Sequence, residues 1–385
     1  MVDNKPTVLF VVDYGLDSSN SDAQILRNIC YSKEMECFNK VVFVLEQNYY
    51  ALQKTTINNI VQISTAKGKT RDTFYKRNVF KRLYYKSFED LTTLAKHGYK
   101  YVRTSLTSNN LKIIKRKFNI DYVLYLTFFP DPYALKAKIP YSYFLYDTYL
   151  SRPGVKKHEI RMEKKVIDHS IKYYLHSYFF DYYQKTYPSD QHIHSLHYPL
   201  FPSKDEVSTA IKSVKKEQYQ FSYFGQLQDF RNVPEIASIF KEANLTVDVF
   251  SWERPIDSPA FKYHDVANGE EFFKKIAESK FLLIFDNNEP FAHYIPSKLY
   301  QLVAFSKPII LFTKNDHSAS KKFLENYPHL FVYDLRKNKP SDLLLMINSY
   351  KEDKDSLFEQ YNKMFSKEEI VDTIKNDFLN HTAKK

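Results

Sequence analysis

Short apolar runs alternate with amphipathic stretches along most of this 385-residue chain. In the first half the runs fall at residues 8–12, 41–45, 60–63, 99–102, 122–126, 141–145, 173–175 and 193–196. They are nearly continuous, as expected of strands buried on both faces, and helical patterns separate them. Together these features predict a parallel sheet covered by helices. Residues 201–217 are polar and charged, with Pro199 just before them and Pro202 near their start, and predict an interdomain connection. Alternation restarts with runs at 221–224, 246–250, 281–285, 309–312 and 330–332. The expectation is an α/β protein of two domains, 1–200 and 218–340, followed by a charged helical tail at 341–385. The length suits two cores better than one.

The most informative stretch is 284–310, IFDNNEPFAHYIPSKLYQLVAFSKPII. An apolar strand runs into a polar loop that ends at Pro296. A helix with Ser297 and Lys298 in its first turn then leads to a second apolar strand. Proline suits the first helical position, and the free N–H groups and dipole of a helix start favour an anion. A phosphate is the expected ligand there. A second such place is FSYFGQLQDFRNVPEI, residues 221–236: a strand, a turn at Gly225, and a helix start at Asn232 with Glu235 at capping-box spacing. Arg231 sits just before that start.

The order PSKLYQLVAFSKPII resembles the donor-binding segment of bacterial GT-B glycosyltransferases, in particular the group 1 nucleotide-sugar transferases of polysaccharide biosynthesis. The resemblance implies the GT-B fold, in which two Rossmann-like domains with parallel sheets face a cleft between them. It also implies donor contacts from Glu289, His293, Ser297, Lys298 and Gln301. Gln301 stands where that family often has an acid for the ribose, and His293 stands where its retaining members have a glutamate. The 221–236 stretch resembles the family's diphosphate-binding element, with Gly225, Gln226 and Arg231 at the matching positions. Gln226 replaces one expected cation, which leaves Arg231 and Lys298 as the pair to neutralise a departing diphosphate. In the family the terminal helix packs back on the first domain.

Asp13, Tyr14 and Gly15 end the first strand, and a loop through Asp17, Ser18 and Asn20 leads into a helix. Loops beyond the carboxyl ends of parallel strands bind ligands. Gly15, Ser18 and Asn20 are therefore acceptor-side candidates, and Asp13 and Asp17 are candidates for a general base. Helix capping and turn formation compete for both acids. Asp147 follows the strand at 141–145, near where the family often carries His-Asp, and is a third catalytic candidate.

Composition narrows the classes. Only 6 glycines accompany 63 Tyr and Phe, so no Gly-rich phosphate loop is available. Cys30 and Cys37 make no disulfide framework, which fits a reducing cytosol. The apolar run before Asp13 is too short for a secretory signal or a span, and no other run is long enough to cross a membrane. His192, His194 and His197 cluster beside Asp190 but lack cysteine partners and read as a polar edge strand instead of a metal site. The lone Asp-x-Asp, Asp353 and Asp355, lies in the charged tail. No metal and no cofactor are expected, and a nucleoside diphosphate sugar would serve as co-substrate.

Charge is uneven. Of the net +11, residues 65–118 hold 15 Lys and Arg against 3 acids, a local +12, and the rest of the chain is near neutral. Such a region attracts anionic head groups or nucleic acid, or is a solvated surface. No recognition motif accompanies the charge, so nucleic acid is not the expected partner. The expectation is a cytoplasmic, metal-independent transferase, peripheral at the membrane's inner face. It would move a sugar from a UDP-linked donor to a glycan or lipid-linked acceptor. A non-catalytic GT-B-like partner of an active transferase is the alternative.

Overall fold

The computed structural model describes residues 5–18, 20–45, 51–65, 73–76, 98–128, 135, 138–146, 155, 157–188, 190–289, 291–351 and 357–382. They form two compact units, residues 1–199 with 368–385 and residues 200–367.

Unit 1 is built on β1 (Thr7–Val12), β2 (Asn39–Val44), β3 (Ala51–Ile57), β4 (Ile60–Thr65), β5 (Thr73–Lys76), β6 (Tyr122–Thr127), β7 (Tyr141–Leu145), β8 (Tyr173–Leu175) and β9 (Ile193–Ser195). They make one nine-stranded sheet in the order β5-β3-β4-β2-β1-β6-β7-β8-β9. The run from β4 to β9 is parallel, as the apolar runs require. Pairing of β3 with β4 and with β5 is antiparallel and was not anticipated. The β3–β4 hairpin turns at Asn58 and Asn59, both at positive φ (45° and 65°). Asparagine tolerates that conformation well, and two-residue hairpin turns need it.

The strand expected at 99–102 is instead the first turn of a helix, Gly98–Phe118. Its aromatic, β-branched start favours a strand locally. Burial of Thr107, Asn110, Leu111 and Ile114 at helical spacing decides otherwise. The core is rich in tyrosine, and burying a phenol requires a partner for its hydroxyl. Tyr122 shares a hydrogen bond with Ser142 at 2.6 Å, and Tyr141 donates to Val166 O at 2.9 Å. Tyr174 donates to Asp377 on the helix Lys367–Thr382, which thereby joins unit 1.

Unit 2 contains β10 (Tyr219–Phe224), β11 (Val247–Phe250), β12 (Phe261–His264), β13 (Ser279–Phe285), β14 (Ile309–Thr313) and β15 (Leu330–Asp334). Its six-stranded sheet is ordered β12-β11-β10-β13-β14-β15 and is parallel throughout. Strand order reverses between β10 and β13, and such a switch point at the carboxyl edge is where open α/β sheets bind ligands. Residues 201–217, expected as a connection, hold the helix Lys204–Ser213. A Ser203–Glu206 capping box starts it, and Val207 and Ala210 bury one face. The helices Pro340–Ser349 and Phe358–Phe365 also lie in unit 2. Phe358 and Phe365 both pack on Phe201.

Candidate functional site

At the end of β10, Gly225 has φ 150°, a conformation that L side chains rarely adopt. A Cβ there would also lie 3.3 Å from the Tyr223 hydroxyl. The short helix Asp229–Arg231 follows and sends the Arg231 guanidinium back over this turn. Arg231 Nη1 donates to Tyr223 Oη at 2.8 Å and to Gln226 O at 2.9 Å, and Nε donates to Asn287 Oδ1 at 3.0 Å. Tyr223 in turn donates to Gln226 O at 2.7 Å. Three of the five guanidinium N–H donors are thus spent on orientation. Nη2 has no hydrogen-bond partner, and Arg231 has no carboxylate in ion-pairing range, among the described residues.

Loops from β10 and β13 are laced together. Asn288 N donates to Phe230 O at 2.8 Å, and the side-chain amides of Asn232 and Asn288 donate to each other at 2.6 and 2.8 Å. Asn232, expected as a capping residue, has φ 52° and makes no side-chain cap. Its amide is committed to Asn288, and Glu235 pairs with Lys314 at 2.5 Å. Asn287 donates to Tyr294 O at 3.1 Å and Asn315 to Asn287 O at 2.9 Å, which ties the end of β13 to Tyr294 and to Asn315 just beyond β14. Asp286, 2% exposed, accepts from Thr313 Oγ1 at 2.7 Å, and burial raises its pKa.

Regular helix begins at Leu299, not at Ser297, and spans only Leu299–Leu302 before a 3-10 turn at Val303–Phe305. Leu299 N bonds back to Pro296 O at 2.9 Å, so Ser297 and Lys298 occupy the turn ahead of the helix. With so short a helix the dipole contributes little, and the local positive charge rests on Lys298. Its Nζ lies 4.2 Å from the centroid of the Phe272 ring, and burial pushes its pKa down to about 8. At neutral pH it is still a cation, held by a π face and without a carboxylate among the described residues. Gln301 is buried, His293 is pushed down to about 4 by burial and is therefore neutral at pH 7, and Glu289 is exposed on its turn. Gly225, Gln226, Arg231, His293, Ser297, Lys298 and Gln301 all lie on the two connections that leave β10 and β13.

In unit 1 the loop after β1 is held as tightly. Asp13 Oδ2 accepts Phe128 N at 2.9 Å, bridging the ends of β1 and β6. Gly15 O accepts Ser18 N at 3.1 Å, and Asn20 Oδ1 caps the helix Ser21–Cys30 through Ala23 N at 3.0 Å. Gln62 accepts Leu16 N at 2.8 Å and donates to Asp17 Oδ1 at 3.2 Å. Arg27 donates to the carbonyls of Leu16 and Ser18. Asp17 and Asn20 thus have structural employment, and Asp13 is partly buried at the sheet's carboxyl edge. Asp147 lies outside the described residues, as do Asp353 and Asp355.

His192, His194 and His197 do not converge. His194 shares a hydrogen bond with Lys172 at 2.9 Å, and His197 with Ser177 at 3.3 Å. Among the described residues no three His, Cys, Asp or Glu side chains are grouped to hold a metal. Tyr223, Asn287, Asn288 and Phe272 escaped the reading of the sequence, which took Asn232 only for a cap. Two asparagines directly after an apolar strand were the available signal for the pair at 287 and 288.

No protein-family model and no curated protein matches the chain. Solved structures do match. HepE from Anabaena in complex with UDP and glucose superimposes with a TM-score of 0.58 at 10% identity, over 97% of this chain and 100% of that one. Sucrose-phosphate synthase from Thermosynechococcus elongatus gives 0.57 at 7% identity, over 97% and 94%. UDP-GlcNAc 2-epimerase from Methanocaldococcus jannaschii gives 0.53 at 10% identity, over 96% and 99%. Likeness at such identities is a likeness of fold, which transferases and an epimerase share: the chain has the GT-B fold.

Proposed function

We propose that this chain is a glycosyltransferase that moves a sugar from a nucleoside diphosphate donor, UDP-linked, to a glycan or lipid-linked acceptor, as in bacterial surface glycan synthesis. The observation that carries the reading is the oriented Arg231 guanidinium at the β10–β13 switch point, with Lys298 on the neighbouring connection. Both are cations without a carboxylate partner among the described residues. A diphosphate leaving group gains charge in the transition state, and fixed donors lower that barrier. With two protein cations in this role, transfer needs no divalent ion. HepE and a starch synthase of the same fold were solved with UDP and glucose and with ADP and acarbose, which supports a nucleotide ligand. In unit 1, Asp13 and Asp17 are the candidate bases, each with a carboxylate oxygen engaged, by Phe128 N and by the Gln62 amide.

Gln226, His293 and Gln301 favour a second reading, a non-catalytic partner that has lost charged positions. Calorimetric titration with UDP, GDP and CDP, followed by assay of donor turnover in EDTA, tests both. Binding with turnover supports the transferase, whereas no binding, or binding without turnover, overturns it in favour of the partner. Peripheral membrane attachment rests on the charge of residues 65–118. Residues 66–72 and 77–97 lie outside the described ones, and Lys112, Arg116 and Lys117 are exposed on the helix Gly98–Phe118. Sedimentation with anionic but not neutral vesicles, lost near 1 M salt, would support it. Equal binding to both vesicle types, or none to either, would overturn it.

A further inference from the structure

We propose that the indole of Trp252 is the stacking platform for the nucleobase of the donor, an inference that rests on the donor reading above. Trp252 is the only tryptophan of the chain and is 61% exposed. Rings at the neighbouring strand ends are consumed in a stack: Phe224 on Phe250 and Phe250 on His264, each at 4.8 Å between centroids. Trp252 takes no part in it and has no ring partner among the described residues.

Its backbone is nonetheless fixed. Ser251, 1% exposed, accepts Glu253 N at 3.2 Å, and Glu253 Oε2 accepts Leu227 N at 2.7 Å. Anchors on both sides therefore hold the backbone that carries the indole and leave the ring uncovered. The second anchor ties the loop to the connection that carries Arg231. Gly225 N donates to Phe250 O at 3.3 Å, so the β10 turn and the end of β11 are direct neighbours. With strands about 4.8 Å apart and at most about 3.6 Å per residue, the Trp252 backbone lies within about 12 Å of Gly225. That is the reach of a nucleotide whose diphosphate is held at Arg231. Trp252 lies on the β11 side of β10, opposite to β13, so a ligand whose diphosphate is held at Arg231, which bonds to the ends of both β10 and β13, would meet it with its nucleoside end. Bases stack on aromatic faces whatever their hydrogen-bond pattern.

Because the tryptophan is unique, its emission reports on this residue alone. The full chain would be titrated with UDP and, separately, with inorganic pyrophosphate, which lacks a base, while calorimetry follows binding. A change in emission with UDP and none with pyrophosphate is expected. Trp252→Ala should weaken UDP binding about tenfold, with Trp252→Phe retaining most of it. If UDP binds by calorimetry while emission and the Trp252→Ala affinity stay unchanged, or if pyrophosphate gives the same change, the platform is overturned and the donor reading stands. If UDP, GDP and CDP all fail to bind the wild-type chain, the donor reading falls and the platform with it.

Discussion

The side-chain amides of Asn232 and Asn288 face each other and exchange hydrogen bonds at 2.6 and 2.8 Å. One follows β10 and the other β13, so this pair fixes the spacing of the two connections that carry Arg231 and Lys298. A double-mutant cycle with Asn232→Ala and Asn288→Ala should show coupling of about 1 to 2 kcal/mol in unfolding free energy. Additive losses would mean the amides act separately. Asn232 should be the costlier single change, because its φ of 52° suits asparagine better than alanine.

Arg231 should not be replaceable by lysine. Its orientation uses Nε and Nη1 on three acceptors, a geometry an ammonium lacks. Both Arg231→Ala and Arg231→Lys are expected to weaken UDP binding by about 2 to 4 kcal/mol in calorimetry. Retention of wild-type affinity by both would remove Arg231 from the site.

Lys298 gives the nucleotide affinity a pH dependence. Burial lowers its pKa to about 8, and only the protonated form attracts a diphosphate. Affinity for UDP should therefore be level below about pH 7 and fall as pH rises through 8, approaching about tenfold per unit. Lys298→Met should bind more weakly at pH 7 and lose this decline. An affinity independent of pH from 7 to 9 in the wild-type chain would contradict the role.

Glu163, in the helix Lys157–His169 of unit 1, is fully buried. Tyr173 and Tyr183 donate to its Oε1 at 2.9 and 2.6 Å, and Tyr187 to its Oε2 at 3.4 Å. Burial raises its pKa from 4.5 to about 7, against the opposing effect of the three hydroxyls. The folded chain thus holds this proton more tightly than the unfolded chain. The associated stability is complete below about pH 4.5, declines as pH rises to about 7, and is absent above. It amounts to about 3 kcal/mol. Glu163→Gln keeps an acceptor for the tyrosines, so its stability relative to the wild type should rise by about that amount between pH 4.5 and 7.5. Thermal midpoints across that range check it, and parallel curves for the two proteins would refute it.

Gly15→Ala should disturb the loop after β1. A Cβ at Gly15 would come within 2.7 Å of Gln62 Oε1 and 2.8 Å of Asp17 Oδ1. The Gln62 amide, which holds Leu16 N, would have to move, at an expected cost of about 1 to 3 kcal/mol in a melt. An unchanged melting temperature would show that Gln62 yields freely.

Local sequence was enough for the two α/β units and for most of the strands. Strands buried on both faces, such as 122–127 and 309–313, must be continuously apolar, and no tertiary information is needed to see that. Sequence also marked Gly225, Arg231 and Lys298, because a backbone at positive φ and a cation at a strand's end follow from residue type. Decisions made by long-range competition stayed hidden. YKYV at 99–102 favours a strand by itself, and only a buried face at 107–114 makes it helical. Asn232 reads as a cap until Asn288, 56 positions away, claims its amide. Ser297 and Lys298 read as a helix start until Leu299 bonds back to Pro296. The structure alone revealed the lacing of Arg231 to Tyr223 and Asn287, because hydrogen-bond partners distant in sequence are chosen by strand order, which no local pattern encodes.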